Sequence, residues 1–109
     1  MRIWDIAPKK LCRNHLLGEH RELHAIWSIL TNNKKGYAHH PETIRWRGKL
    51  RALYLRHEEL VREMKRRRYR HESALSARLA RGLSCQDTYV DSPRKQRKIL
   101  MNKQCGCKV

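Results

Sequence analysis

The sequence predicts an all-α fold: a small single domain in which two long helices cross and a shorter C-terminal helical region packs beside them. Three observations carry this. Apolar residues recur every three or four positions in two long stretches, first at Leu11, Leu16, Leu23, Ile26, Trp27 and Leu30, then at Trp46, Leu50, Leu53, His57, Leu60, Val61 and Met64. No stretch alternates apolar and polar residues strongly enough to build a sheet. With 109 residues the chain can bury one modest core.

Residues 1–10 read as extended, with Ile3, Trp4 and Ile6 apolar and Pro8 preventing a helix from running back to the start. Asp5 reads as a local turn residue. The first helix is expected over about residues 10–30. Gly18 interrupts it at a cost of about 1 kcal/mol relative to alanine, which suggests room for a close neighbour. Residues 31–37 form a basic loop whose Lys34 and Lys35 suit phosphate oxygens or simply solvent. His39 and His40 read as loop residues near nucleic acid. Adjacent histidines seldom face one metal, and no third ligand sits at helical spacing.

Pro41 opens a second helix expected over about residues 42–68. Lys65 to Arg68 at its end complement the helix dipole, whereas Arg45, Arg47 and Lys49 near its start oppose it. The latter three are therefore candidates for phosphate contact. Glu58, Glu59 and Glu63 lie within reach of arginines one turn away and read as surface pairs. A short helix over residues 73–81 ended by Gly82, an irregular stretch over 84–91, and a last helix from Ser92-Pro93 to about residue 103 complete a domain spanning 1–104. Residues 105–109 read as a flexible Cys-x-Cys tail.

The net charge of +16, from 26 Lys+Arg against 10 Asp+Glu, implies a polyanionic partner, with nucleic acid foremost. No run of 18 apolar residues occurs, which argues against a membrane span. The start lacks a basic segment followed by an apolar run, so an intracellular protein in a DNA-containing compartment is expected, and not a secreted one. In a reducing compartment Cys12, Cys85, Cys105 and Cys107 are expected as free thiols, with no metal and no cofactor. A zinc-dependent binding module using Cys105 and Cys107 is the minority alternative.

The chemistry-bearing stretch is the head of the chain. A free α-amine has a pKa of about 7.7–8.0 and is a usable nucleophile near neutral pH. Arg2 is bulky, so Met1 is expected to be retained and to carry that amine. His15 and Glu22, on nearly the same side of the first helix, together with Arg21, form a set on which the N-terminus can fold back.

Arg2-Ile3, His15-Leu16 and Arg21-Glu22-Leu23, at these distances, resemble the pyrimidine-dimer DNA glycosylase/AP lyases of the phage endonuclease V type. The resemblance covers roughly residues 1–70, continuing through Pro41 and Gly48. It implies a repair enzyme acting on double-stranded DNA with UV-induced cyclobutane pyrimidine dimers, as a monomer, without a cofactor. It also implies the roles. The Met1 amine attacks C1′ and forms an imine, and Glu22 stabilises the sugar cation and manages the protons of β-elimination. Arg21 holds a phosphate, His15 and Asn14 face the sugar-phosphate, and Arg2 anchors the backbone. Lys34, Lys35, Arg45, Arg47 and Lys49 extend the contact. This chain departs from the phage pattern at Ala25, where the phage enzyme has an arginine, at Met1 in place of threonine, and in lacking an aromatic after Tyr89. Two alternatives stand beside this reading: the same chemistry on another lesion, and a basic nucleic-acid-binding protein without catalysis.

Overall fold

A computed structural model describes residues 2–70 and 73–109. Its helices are α1 (Arg13–Thr31), α2 (Pro41–Ile44), α3 (Leu50–Arg66) and α4 (Pro93–Asn102), with single 3-10 turns at Pro8–Lys10 and Ala77–Leu79. Among the described residues the only β pairing is an isolated bridge between Lys49 and Gly82. The two long helices α1 and α3 pack across each other, as the apolar periodicity predicts. Leu16, Leu23 and Ile26 from α1 and Leu53 and Leu60 from α3 are fully buried between them. Replacing any of these leucines by alanine is the kind of change that costs about 2–5 kcal/mol. Among the described residues no helix is long and apolar enough to cross a membrane.

Several boundaries differ from the sequence expectation, each for a physical reason. The first helix begins at Arg13 and not near residue 10, because Pro8–Lys10 forms a 3-10 turn and Leu11 is extended. The expected helix over 42–68 is two pieces. Gly48 (φ +72) breaks the chain after Trp46, and Lys49 then precedes α3. The break is stabilised from a distance. Arg51 and Ala52, in the first turn of α3, donate their N–H groups to the carbonyls of Arg81 and Leu83 (2.9 and 3.1 Å). These are donors that a helix start leaves without an internal partner. Gly82 makes this approach possible: it sits at φ +91, and a Cβ there would lie 2.2 Å from the Gly48 carbonyl oxygen. The expected helix over 73–81 is accordingly only the turn at Ala77–Leu79, its neighbours being drawn out to cap α3; His71 and Glu72 lie outside the described residues. The last helix forms as expected, with the Ser92 hydroxyl accepting from the Lys95 N–H.

The tail also has fixed partners. Lys108 donates its N–H to the Lys10 carbonyl (2.7 Å), and Cys107 and Val109 pack against the core. At the end of α3, Glu63 reads less as a surface acid than as a bracket, because its buried carboxylate holds both Arg66 and Arg67. Arg67 in turn donates to the Leu11 carbonyl (2.7 Å) and so fastens the N-terminal segment to α3.

Gly18 does not serve a close approach among the described residues: a Cβ there meets nothing within 4 Å. Gly18→Ala is therefore expected to stabilise the fold by about 1 kcal/mol, read as a higher urea midpoint at unchanged slope. The Arg66 hydrogen bond, helped by Arg67, holds the Glu63 carboxyl below its ordinary range. A group depressed in the folded state contributes stability above its unfolded pKa of about 4.3 and loses it as pH falls through the lower folded value. Urea midpoints measured from pH 7 down to pH 3 should fall less steeply in Glu63→Gln than in the wild type, from a lower starting point.

Candidate functional site

The N-terminal segment, residues 2–7, has no regular secondary structure and pairs with no strand among the described residues. Its Ile3, Trp4 and Ile6 side chains are buried, so its backbone polar groups need partners from elsewhere. Buried side chains supply them. Glu19, in α1, accepts from the Trp4 N–H (3.1 Å). Gln96, in α4, accepts from the Asp5 N–H (2.7 Å) and donates back to the Asp5 carboxylate (2.9 Å). Arg45, just after α2, donates to the Ile3 carbonyl (3.0 Å).

These three residues are themselves fully satisfied. Glu19, 1% exposed, is gripped by Arg56 of α3 through two bonds of 2.7 and 3.0 Å. Burial pushes the Glu19 carboxyl upward, against the pull of Arg56 and the Trp4 amide. Arg45 uses its five N–H donors on Glu42, Ile3, Thr88 and, twice, Asp5. The charge read from sequence as a candidate phosphate contact is thus spent inside the protein, holding the N-terminal segment. Asp5, read as a turn residue, is the centre of this network. Sequence patterning did not single out Glu19, Gln96 or Arg56, since a charged letter on a helix does not show which buried backbone it satisfies.

The segment lies along one stripe of α1. The Trp4 ring meets the His15 ring edge-on at 5.5 Å, and Glu19 one turn on takes the Trp4 amide. Glu22 follows on the same stripe, three residues further along. Met1 lies outside the described residues. Arg2 is held by Asp91 (3.0 Å) and stacks over the Trp4 ring at 4.8 Å. Asn14 and Arg21 are exposed on α1, and Glu22 is half-buried.

Glu22 lines an open cavity of about 670 Å³ between α1 and the loop before α2, with Ser28, Lys34, Tyr37 and His40 around it. Lys34 also borders a second cavity of about 450 Å³, with Lys35, His39 and Arg47. The structure therefore gathers Glu22, Lys34, Lys35 and Arg47 into one neighbourhood. Arg47 also donates to the Ala38 carbonyl (2.8 Å). Lys49 is apart from them, bonded to Gln86, Asp87 and Thr88. His40 has a structural task too, its Nδ1 accepting from the Glu42 N–H and capping α2. Tyr37, 71% exposed at the cavity rim, is an aromatic face that periodicity did not mark, because it stands alone in a loop.

Two groups of potential metal ligands occur among the described residues, Cys12 with His15, Cys105 and Cys107, and His20 with His24 and His57. The four thiols are free, as the sequence reading expects, and three of them, Cys12, Cys105 and Cys107, meet at the start of α1, whereas Cys85 is exposed and apart.

The comparisons with known proteins bear on this geometry. No curated protein and no solved structure matches the chain. A family model described as pyrimidine dimer DNA glycosylase matches residues 1–77, which include the N-terminal segment, all of α1 and α3, and the basic loop between them. With most of its length so matched, and with the matched part containing the Glu22 cavity and the segment held against α1, the chain belongs to the pyrimidine dimer DNA glycosylase family.

Proposed function

We propose that this protein excises cyclobutane pyrimidine dimers from duplex DNA and cuts the strand there by AP lyase chemistry, with the α-amine of Met1 as nucleophile and Glu22 as the acid-base residue. The observation that carries the reading is the fixing of the N-terminal segment against the α1 stripe that bears His15, Glu19 and Glu22. A nucleophile at a chain terminus is effective only if the terminus is pre-positioned, since holding two reacting groups together removes much of the entropic barrier. Glu19, Arg45 and Gln96 do that for residues 3–5, a short tether from the amine.

The amine nitrogen attacks C1′ as the damaged base departs with the glycosylic electron pair. The first amine proton leaves with the departing base, and the second passes to O4′ as the C1′–O4′ bond breaks, which opens the sugar and leaves an imine at C1′. A base then removes a C2′ proton, and the 3′ phosphate leaves by β-elimination. Glu22 stabilises the cationic sugar and takes the C2′ proton. Water finally releases the sugar from the amine. Arg21, Asn14 and Arg2 hold the backbone beside the lesion, and the His15 ring backs the N-terminal segment through its edge-on contact with Trp4. Lys34, Lys35 and Arg47 carry the duplex along the cavities. Tyr37, exposed beside Glu22, offers a ring on which an unstacked base can lie. A dimer already weakens stacking, which lowers the cost of extruding a nucleotide.

Borohydride trapping on duplexes carrying one cyclobutane dimer or one abasic site tests this directly. The expected outcome is a covalent adduct with both, mapped to the N-terminal residue. Extending the N-terminus by one residue should abolish the adduct and the cleavage while leaving salt-sensitive DNA binding nearly unchanged. Glu22→Gln should slow cleavage by about 10²–10⁴-fold, again with binding retained. An adduct on the abasic duplex alone moves the specificity to another lesion, and wild-type cleavage by either variant refutes the mechanism.

A further inference from the structure

Four side chains from opposite ends of the sequence meet where α1 begins. Cys12 immediately precedes the helix and His15 lies in its first turn, while Cys105 and Cys107 arrive on the chain that follows α4. Their three Sγ atoms and a ring nitrogen of His15 all lie within 4.8 Å of one another. Cys12 Sγ is 3.0 Å from His15 Nδ1, Cys107 Sγ is 3.5 Å from the same nitrogen, and Cys105 Sγ is 3.4 Å from Cys107 Sγ. We propose that Cys12, His15, Cys105 and Cys107 form a structural zinc site that staples the C-terminal tail to the first turn of α1.

The dimensions suit the ion. Zinc takes thiolate sulfur at about 2.3 Å and imidazole nitrogen at about 2.0 Å, so a tetrahedral Cys₃His site has edges of about 3.5–3.8 Å. The three close pairs need to open by about half an ångström or less to reach them. Three sulfurs and one imidazole are a donor set that selects zinc over hard cations. Four protein ligands fill the coordination sphere, which makes the site closed and structural, with no position for a catalytic water. A disulfide would use only two of the three thiols, whereas a zinc ion uses all four convergent groups.

The surroundings are arranged for thiolates. The Cys12 N–H points at Cys107 Sγ (3.0 Å), an outer hydrogen bond of the kind that tunes a metal-bound sulfur. Gly106, at φ +95, turns the chain between the two tail cysteines, and the Lys108 N–H bond to Lys10 fixes the tail beyond them. Three thiolates with a zinc ion carry a net negative charge. The cavity of about 350 Å³ beside Cys12 is lined by Lys10, Arg13 and Lys108, which favours that charge. The tail thereby becomes part of the domain, in place of the flexible end that its sequence suggests.

The test is metal content, so it does not depend on the repair reading. Protein purified from zinc-supplemented cells without a metal-binding tag should contain one zinc per chain by elemental analysis. Cobalt substitution should give the visible bands of a tetrahedral ion and a thiolate-to-cobalt charge-transfer band. Chelation should lower the Tm by about 10 °C or more. Cys105→Ser and Cys107→Ser should lose the metal, and Cys85→Ser should keep it. If those tail variants fail to fold, the wild-type stoichiometry and cobalt spectrum decide alone. Metal-free folded protein with all thiols reactive, or with a disulfide, overturns the proposal. So does zinc that survives in Cys107→Ser and is lost in His24→Ala, which would assign it to the histidine group around His24, whose Nε2 lies 3.2 Å from those of His20 and His57.

Discussion

The constraint on which the structure depends is a buried N-terminal segment that pairs with no strand among the described residues. Its apolar side chains belong in the core, but each buried amide and carbonyl left without a partner costs about 1–3 kcal/mol. The fold meets that cost with side chains: the Glu19 carboxylate for the Trp4 amide, the Gln96 amide group for Asp5, and the Arg45 guanidinium for the Ile3 carbonyl. Each of these comes from a different part of the chain, so the segment is held only when α1, the turn after α2, and α4 are all in place. The charges among them are then paired in turn, Glu19 by Arg56 and Arg45 by Glu42 and Asp5. No buried side-chain nitrogen or oxygen among the described residues is left without a partner.

Buried ion pairs of this kind are poor sources of net stability, because desolvation offsets most of their attraction. What they provide here is position. Asp5 and Arg45 fix where the segment runs, and the Glu19–Arg56 pair fixes how it meets α1 and α3. For an enzyme of the pyrimidine dimer DNA glycosylase family, whose proposed nucleophile is the terminus of that same segment, rigidity near the terminus matters more than a small gain in folding energy. The same economy of parts shows elsewhere in the fold. The start of α3 is capped by the backbone of residues 81–83, and the tail beyond α4 is folded onto α1.

The basic residues divide by environment. Arg45, Arg56 and Arg67 are turned inward as fasteners of the segment and its flanks, each with protein acceptors. Lys34 and Lys35 stay exposed on the loop beside the Glu22 cavity, where charge is available to a phosphate backbone. The high net charge thus overstates the number of groups free to meet DNA, and the loop between α1 and α2 is where that charge and the cavities coincide.

By itself the sequence determined the helical class, the crossing of two long helices, the last helix and the head motif that places the chain in its family. Those are local signals: a three-to-four periodicity, a Ser-Pro start, and a fixed spacing from Arg2 to Glu22. Only the tertiary structure decided that the second helix breaks at Gly48, since Trp46, Leu50 and Leu53 keep helical spacing across a break that the distant carbonyls of Arg81 and Leu83 stabilise. It likewise decided that Arg45 turns inward, that Glu19 and Gln96 serve the N-terminal segment, and that Cys12 meets Cys107. In each case the partner lies far away in the chain, and the residue type declares a capacity to bond without saying to what.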